Sequence, residues 1–482
     1  MVSPTKKGPP PEFIAAVEKI EYWIHDHPLT MKVAKIALLA LGIGLGCATP
    51  FAVLLPVGLA AKICIIGAGS LIALTACVIG TVAHIFLDIA ISPHHDMKNH
   101  AYKPSQCEGG KLYYDGDVPI LALEADNPYI AGKAHGYLCG DAINSLVKRY
   151  EFAMYRLGGK PRADQLEPLC LDRIRSHIPK EYLTEMQGLL EGYNQWAKEN
   201  WWKFPKKMSL DDIMYMHLMP DSLHFQPESA QAKSPSKVTS PSTATTVACT
   251  AIVDSTENEG LKFARNMDWM SFGLAGTKSL VVNRRFKDHR NNTVEVNVPG
   301  FIGATTGQNS KGLSVAMNVC SGNTKEINGM PACFYNRYCL ENFGNVAEVE
   351  TFAKSKSPLG AYHLTAADPN KASSIHFFQA SNGNNVVRRW EKDKPLVTLN
   401  FRYNPTTDSD VHHSSERLRE ITEHFKKKAP LEDALALPYV NNSLTTHRVE
   451  MTPKTRTFKV AFDNAFAGKV DLHNVATAPL FA

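Results

Sequence analysis

The sequence predicts an α+β sandwich of antiparallel sheets with helices grouped between the strands, rather than a doubly wound parallel fold. Two observations lead to this prediction. The second half of the chain alternates short β-type runs with turn residues, and only a few segments there have helical periodicity. Residues 111–225, by contrast, have mainly helical patterns after a short strand-like start.

The composition is that of an ordinary globular protein and argues against several function classes. Of the 482 residues, 44% are apolar and 21% are charged, which is enough for a sizeable core. The net charge of +5 is too small over this length to indicate a nucleic-acid partner, and no basic-aromatic run argues for one. The 10 cysteines form no C-x-x-C pair and no zinc spacing, so we expect reduced thiols. No metal or organic cofactor is implied.

Two long uncharged stretches lie near the start of the chain. Residues 36–61 and 63–87 each exceed the roughly 20 apolar residues that span a bilayer. They meet at Lys62, which predicts a transmembrane helical hairpin at residues 31–92 after an N-terminal segment at 1–30. The alternative is a buried helical pair in a soluble core. Lysines on both flanks predict that the catalytic region faces the cytosol.

A helical pro-region is predicted at residues 100–225. Helical periodicity covers residues 131–156, where Gly132, Gly136 and Gly140 fall on one face that suits close packing. Two more helices are predicted at residues 182–202 and 210–219, the latter with Ser209 as its N-cap.

A change of composition separates this region from the rest of the chain. Residues 226–248 are rich in Ser, Pro, Thr and Ala, which predicts a flexible linker. The linker leads directly to Cys249, where the predicted catalytic region at 249–482 begins. Strands are predicted there at 250–253, 261–265, 279–284, 293–298, 312–318, 362–367, 374–379, 385–390 and 396–400, and helices at 335–342, 346–355 and 414–426.

The first predicted hairpin brings three reactive side chains together. Residues 255–260 form a turn between two apolar strands. Antiparallel pairing about this turn sets Cys249 opposite a position near Arg265, to within one residue, and the chain leaves the same end of the sheet at Asp268. A thiol, a guanidinium and a carboxylate therefore converge. From these residues alone, a buried structural cysteine beside an ordinary ion pair remains an open alternative.

The residues of this hairpin resemble a known group of families. The run C-T-A-I-V from Cys249 and the run R-N-M-D from Arg265 are similar to the opening of the choloylglycine hydrolase, acid ceramidase and penicillin acyltransferase-like families. The resemblance continues in the run G-Q-N-S-K-G-L-S-V-A-M-N ending at Asn318, in L-N ending at Asn400 and in S-S-E-R ending at Arg417. Leucine stands before Asn400 where the families have threonine. These are N-terminal-nucleophile hydrolases, so the resemblance implies their four-layer αββα sandwich.

The resemblance also implies self-processing. Cys249 would attack the carbonyl of Ala248, and hydrolysis of the resulting thioester would free an α-amine. The ordinary pKa of that amine, about 8, suits a base at neutral pH. One residue would then supply both the nucleophile and the base. The sequence also leaves a Cys–His protease open through His412 and His413.

Roles for the other residues follow from the resemblance and from their chemical types. Arg265 would favour the thiolate, Asp268 would hold the new amine, and Asn318 and Asn400 would donate to the oxyanion. Arg417 would stabilise the site or contact the substrate carbonyl. The open alternatives are a surface ion pair between Arg265 and Asp268, an Asn318 that only satisfies backbone groups, and an Arg417 on a solvated helix face.

The predicted function is hydrolysis of a non-peptide C–N amide bond. The resemblance implies acylated substrates, such as ceramide-like lipids, N-acyl amino acids or bile-salt-like conjugates. The membrane hairpin favours a lipid amide, because a membrane-held site would meet such substrates where they dissolve. The alternatives are an acyltransferase of the same fold and a membrane-interaction protein that uses an inactive module. The sequence does not indicate an oligomeric state.

Overall fold

The computed structural model describes ten stretches of the chain. The described residues are 102–151, 168–222, 247–256, 259–269, 278–320, 329–377, 385–401, 414–441, 445–462 and 471–481. They all belong to the second of two compact units, Met1–His94 and His95–Ala482. The predicted transmembrane hairpin and most of the predicted linker lie outside these residues. Within them, no helix combines the length and the apolar character that crossing a bilayer requires.

The described residues form strands and helices in the following order. The strands are β1 (Ser105–Cys107), β2 (Gly110–Asp115), β3 (Val118–Glu124), β4 (Val247–Thr256), β5 (Gly260–Trp269), β6 (Leu280–Arg285), β7 (Thr293–Asn297), β8 (Thr306–Asn309), β9 (Ser314–Val319), β10 (Tyr362–Ala367), β11 (Ala372–Phe377), β12 (Val386–Arg389), β13 (Leu396–Thr398), β14 (Thr445–Thr452), β15 (Thr457–Phe462) and β16 (His473–Val475). The helices are α1 (Pro128–Leu138), α2 (Gly140–Glu151), α3 (Pro168–Arg175), α4 (Lys180–Glu199), α5 (Leu210–Ser222), α6 (Ala332–Asn342), α7 (Val346–Ser355), α8 (Ser414–Lys426), α9 (Leu431–Ala434) and α10 (Ala478–Phe481), with a 3-10 turn at Trp201–Lys203.

The strands assemble into two sheets. A ten-stranded sheet has the order β1-β2-β3-β6-β7-β8-β9-β10-β11-β12, and a six-stranded sheet has the order β13-β4-β5-β14-β15-β16. The prediction of antiparallel sheets holds for the described strand pairs except β3 and β6, which pair in parallel. A parallel pair needs a long crossover, and the chain between these two strands supplies one through helices α1 to α5 and the hairpin β4–β5.

Apolar clusters on both faces of the sheets define four layers. Strand β4 shows this arrangement, because alternate side chains of a strand point to opposite faces of its sheet. Ala251 and Val253 belong to the cluster between the two sheets, which also includes Val281 of the larger sheet. Ile252 belongs to a cluster with Ile421 of α8 and residues of α9. The outer face of the ten-stranded sheet is covered by two further clusters, with α1, α4 and α5 in one and α6 and α7 in the other. The order helix, sheet, sheet, helix agrees with the predicted αββα sandwich.

Helices α1 and α4 pack at very close range. A Cβ atom added at Gly132 or Gly136 would lie 2.0 Å from a backbone oxygen of α4, and one added at Gly188 or Gly192 would lie 2.0 Å from a backbone oxygen of α1. One added at Gly140 would lie 2.3 Å from the Trp196 ring. The predicted close-packing face is therefore confirmed, because only glycine fits at these contacts.

Two predictions about helix ends have different outcomes. Ser209 caps α5 as predicted: its Oγ accepts from the backbone N–H of Asp212 at 3.2 Å, and Oδ2 of Asp212 accepts from the backbone N–H of Ser209 at 2.7 Å. The single helix predicted at 131–156 was wrong, because Cys139 interrupts it between α1 and α2.

Candidate active site

The hairpin β4–β5 carries the predicted nucleophile and the residues nearest to it. Cys249 pairs with Met267, and Ala251 pairs with Arg265, so the predicted register was wrong by two residues. The physical reason is the position of the turn: Thr256 pairs with Gly260, whereas opposition of 249 and 265 would require Thr256 to pair with residue 258. Gly260 adopts a φ of +79°, which glycine permits. A shift of two residues keeps side chains on the same face of the sheet. Arg265 is therefore a diagonal neighbour of Cys249 on one face.

The Cys249 thiol is buried and touches a cation. Its side chain is 1% exposed, and Nη2 of Arg265 donates to Sγ at 3.4 Å. Burial raises the pKa of the thiol, and the charge of Asp268 raises it further. Arg265, the Asp268 backbone and Arg417 lower the pKa, but burial outweighs them. Arg265 thus acts on the pKa in the predicted direction, while the net shift of the thiol pKa is upward.

Arg265 is held in the core by several acceptors. Its Nη2 donates to the carbonyl oxygen of Met317 at 2.6 Å, and its Nη1 donates to Oγ1 of Thr306 and to Nε2 of His447, the latter at 3.1 Å. Arg265 and Asp268 are both fully buried, so the surface ion pair that the sequence left open is wrong. A buried guanidinium with fixed partners gives the thiol a cation at a defined position.

Asp268 lies beside the predicted cleavage site. It pairs with Ala248 across β4–β5, and its Oδ1 accepts a hydrogen bond from Oγ1 of Thr445 at 2.6 Å. The backbone of Asp268 therefore lies opposite the peptide bond that precedes Cys249, and Thr445 fixes one oxygen of its carboxylate. This position is compatible with the predicted role of holding a newly formed amine at that bond.

Three predicted residues surround the backbone of Cys249. Nη1 of Arg417 donates to the Cys249 carbonyl oxygen at 2.7 Å, and Nδ2 of Asn318 donates to the same oxygen at 3.1 Å. The backbone N–H of Cys249 donates to Oδ1 of Asn400 at 2.9 Å. Arg417 is 1% exposed, so the solvated helix face that the sequence left open is wrong. These contacts fix both polar groups of the nucleophile's backbone.

The orientation of Asn400 bears on its predicted role. Its Oδ1 accepts from the Cys249 N–H and also from Nη2 of Arg417 at 2.8 Å, so two donors identify this atom as the oxygen. Its Nδ2 donates to the carbonyl oxygen of Val319 at 2.5 Å. In this arrangement Asn400 orients the Cys249 nitrogen, and its predicted function as an oxyanion donor stays a prediction.

Asn318 has a comparable arrangement. Its Nδ2 donates to the carbonyl oxygens of Cys249 and Thr398, at 3.1 and 2.9 Å. This is the geometry of the alternative in which Asn318 satisfies backbone groups. To donate to an oxyanion it would have to release one of these carbonyls, so that role also stays a prediction.

Sequence reasoning missed several residues of the site. Thr445 and His447 lie on β14, a strand that was not predicted, and Thr306 begins β8, which was not predicted either. A signal was present, because residues 445–452 and 457–462 are rich in Thr, Val and Phe and flank a Pro-containing turn. The alternative Cys–His pairing with His412 and His413 lies outside the described residues.

His447 gives a testable prediction. Burial, followed by the charge of Arg265, lowers its pKa well below 6.5, so the imidazole is neutral and accepts from Arg265. We expect His447→Leu to leave an Arg265 N–H without this acceptor and to lower kcat/KM by about 10-fold or more, because an unpaired buried donor costs about 1–3 kcal/mol. His447→Gln, whose amide oxygen can accept, should be much milder. Equal losses in the two variants would contradict this acceptor role.

A cavity of about 180 Å³ opens beside these residues. Met267, Thr446 and His447 line it from the sandwich, and α5 contributes an opposing wall that contains Met216 and Met219. Met267 is the strand partner of Cys249, so the cavity lies one strand away from the predicted nucleophile, which does not itself line it. Most of its other lining residues are apolar, namely Leu146, Val147, Met208, Pro220, Trp269, Val296, Val298 and Phe301.

Comparison with known proteins agrees with this geometry. The family model of acyl-coenzyme A:6-aminopenicillanic acid acyl-transferase matches residues 255–438, less than half of the chain. The matched range includes every predicted catalytic residue except Cys249, which precedes it. The match confirms the predicted resemblance to the penicillin acyltransferase-like family. No curated protein is significantly similar to the chain.

Solved structures give distant likenesses. A Caenorhabditis elegans ortholog of N-acylethanolamine-hydrolyzing acid amidase is 20% identical, with 43% of this chain and 93% of that chain covered and a TM-score of 0.36. A penicillin V acylase from Agrobacterium tumefaciens is 14% identical, with 44% and 83% covered and a TM-score of 0.29. A variant conjugated bile acid hydrolase from Clostridium perfringens is 13% identical, with 48% and 94% covered and a TM-score of 0.35.

Proposed function

From the family match and the geometry around Cys249, we propose that the protein is a self-processing cysteine amidase. It would cleave its own chain before Cys249 and then hydrolyse a non-peptide C–N amide bond of an acylated substrate. The observation that carries this proposal is the buried Cys249 itself. Its thiol touches Arg265, while its backbone is fixed by Asn318, Asn400 and Arg417.

The processing step uses groups that are already adjacent. Sγ of Cys249 attacks the carbonyl carbon of Ala248, the peptide C–N bond breaks, and a thioester joins the two residues. Water then hydrolyses the thioester and leaves a carboxylate on Ala248 and a free amine on Cys249. Asn400, whose Oδ1 accepts from the Cys249 N–H, and Asp268, whose backbone pairs with Ala248, would orient this amine.

Turnover would use the same thiol. The freed amine takes the thiol proton as Sγ attacks the amide carbonyl of the substrate, and it returns the proton to the departing amine. The acyl-thioester that remains is hydrolysed by water. Arg265 stabilises the thiolate throughout, because it lies 3.4 Å from Sγ.

The cavity supports an acylated substrate. Its lining is mostly apolar, and the methionines of α5 can adjust to a flexible chain. With the substrate carbonyl placed at the Cys249 thiol, the acyl group would extend through this cavity toward α5. We propose N-acyl amides as the substrate class, with lipid amides such as ceramide-like molecules, N-acyl amino acids and bile-salt-like conjugates as the members to be compared.

One assay tests the reaction and separates it from acyl transfer, which the name of the matched family favours as a second candidate. Purified protein is incubated with N-acyl amides of graded chain length, with and without hydroxylamine, and the products are identified by mass spectrometry. A hydrolase releases the free acid without hydroxylamine, although hydroxylamine also captures part of its acyl-thioester as the hydroxamate. A transferase yields mainly the hydroxamate and little acid. The absence of any acyl product across the series would contradict both.

Membrane attachment is a separate proposal. It is supported by the uncharged stretches at residues 36–61 and 63–87 and by exposed aromatic side chains, Trp201, Trp202 and Phe204, which are 70%, 56% and 80% exposed. We expect the full chain to remain in the membrane pellet after alkaline carbonate extraction. Release into the supernatant would contradict a spanning hairpin. If the protein stays in the membrane pellet, protease accessibility in sealed vesicles tests whether the catalytic region faces the predicted cytosolic side.

A further inference from the structure

A second cluster of reactive side chains lies close to the active site but takes no part in the proposed reaction. It consists of Cys320, which follows β9, His363 on β10 and His376 on β11, and all three are buried. His363 and His376 are directly paired across the two strands. His363 also pairs with Asn318 on its other side. The three side chains therefore form a compact group at one end of the larger sheet.

The spacing of the donor atoms suits a tetrahedral metal ion. The two Nδ1 atoms of His363 and His376 are 3.2 Å apart, and Sγ of Cys320 is 3.8 Å from Nδ1 of His376. The candidate donor atoms all lie within 4.8 Å of one another. Tetrahedral zinc, with Zn–N of about 2.0–2.1 Å and Zn–S of about 2.3 Å, separates two nitrogens by about 3.3 Å and a sulfur from a nitrogen by about 3.6 Å.

The outer contact of His363 resembles that of a metal ligand. Its Nε2 lies 2.7 Å from the carbonyl oxygen of Phe401, which can only accept, so Nε2 carries the proton. In the neutral ring, the lone pair is then on Nδ1 and faces the cluster. Histidines that bind metals commonly donate their other N–H to a carbonyl in this way.

The donor set restricts the kind of ion. A thiolate and two imidazoles favour zinc and similar divalent transition metals over magnesium or calcium, which prefer oxygen ligands. We propose that Cys320, His363 and His376 form a binding site for a zinc-class ion, with a fourth position left for water or another ligand. The site goes beyond the proposed function, since the amidase reaction needs no metal.

The alternative is a hydrogen bond between the two rings, with Nδ1–H of His376 donating to Nδ1 of His363. The rings are inclined by 33° and their centroids are 4.3 Å apart. A shared ion requires Nδ1 of His376 to carry a lone pair instead of a proton, so the two arrangements differ in the tautomer of His376. The two arrangements also differ in whether sulfur is bound, because only the metal site uses Cys320 as a thiolate ligand.

The position of the cluster gives the ion a defined structural effect. Asn318 is the strand neighbour of His363, and Phe401 follows Asn400 in the chain. An ion on β10, β11 and the end of β9 would therefore fix the segments that present both asparagines to Cys249.

The test is metal binding by the full chain. The protein is stripped with a chelator and loaded with Zn²⁺ alone or with Co²⁺ alone. We expect one equivalent of Zn²⁺ to be retained after dialysis, a thiolate-to-cobalt charge-transfer band, and X-ray absorption that counts one sulfur and two imidazole nitrogens. We expect Cys320→Ser and His376→Gln to weaken the affinity about 10-fold or more, because even outer-shell changes cost about 10–100-fold.

Matched controls use the same substitutions elsewhere in the chain. Cys107→Ser and His424→Gln should retain the bound zinc. Equal affinity in Cys320→Ser and the wild type, or a wild type that retains no zinc, would overturn the site. Should the cluster variants fail to fold, the X-ray absorption of the wild type decides, since a donor set that lacks one sulfur and two imidazoles overturns the proposal. These readouts do not depend on amidase activity, so they also stand if the proposed function fails.

Discussion

Replacing Cys249 with alanine is expected to leave the purified chain uncut and without amidase activity. The substitution removes the sulfur that attacks Ala248 and, with it, the only route to a free amine on residue 249. Loss of the nucleophile lowers kcat by on the order of 10⁶ in a well-studied serine hydrolase, and a loss of this size is expected here. Intact-mass measurement and N-terminal sequencing follow the processing, and the amide assay follows the turnover.

The control is another buried cysteine. Cys333 lies on α6, where its Sγ donates to the carbonyl oxygen of His217 at 3.4 Å. Cys333→Ala should therefore still yield a fragment that begins at Cys249. A wild-type chain that stays whole at neutral and acidic pH would contradict self-processing, because an internal cysteine lacks its amine base. The membrane-interaction alternative would then be favoured, especially if Cys249→Ala changed no phenotype.

Local sequence was sufficient for much of the site. The prediction placed Arg265 on the same face as Cys249 even though the register was wrong by two residues. This is because strand side chains alternate between the two faces, and a shift of two residues preserves the face. The helices at residues 346–355 and 414–426 and the strand at 362–367 were predicted with the bounds that the structure has. Such elements have a clear period and sharp ends, so their boundaries depend mainly on nearby residues.

The features that the sequence analysis missed depend on contacts between segments that are far apart in the sequence. The strands β1 to β3 join the larger sheet through the parallel pair of β3 with β6, more than 150 residues later in the chain. His447 reaches Arg265 only because β14 pairs with β5. Neither contact has a local signature. The contacts of the Asn318 and Asn400 side chains could not be predicted either, because surrounding donors and acceptors decide which amide atom faces Cys249.

The second large effect is expected at Glu185, on α4, in a buried charge network. Its Oε1 accepts from Nη1 of Arg284 at 2.6 Å, and its Oε2 accepts from Nη2 of Arg337 at 2.7 Å. Arg337 also donates to Glu341 at 2.7 Å. The side chains of Glu185, Arg284 and Arg337 are all buried. Glu185 precedes the proposed cleavage site, while both arginines follow it. The network therefore joins the two parts that processing would create.

Glu185→Ala is expected to destabilise the fold by about 3–5 kcal/mol, because it leaves two buried guanidinium groups without this carboxylate. Chemical denaturation of the Cys249→Ala chain measures the change without interference from processing. Glu185→Gln should cost less, since its amide oxygen still accepts. Glu191→Ala, an exposed position on the same helix, should change stability by less than about 0.5 kcal/mol. Equal effects of Glu185→Ala and Glu191→Ala would contradict a stabilising network.

The same carboxylate predicts how stability depends on pH. Burial alone would raise the pKa of Glu185, but Arg284 and Arg337 outweigh it and lower the pKa to about 2. In the unfolded chain a glutamate has a pKa of about 4.3. The unfolded state therefore binds the proton first as the pH falls. The contribution of Glu185 is fully present above about pH 4.3 and is lost as the pH falls toward 2. Because Glu185→Gln removes this titration, its stability should fall less steeply than the wild type's over that window, and parallel curves would mean that Glu185 is not the group responsible.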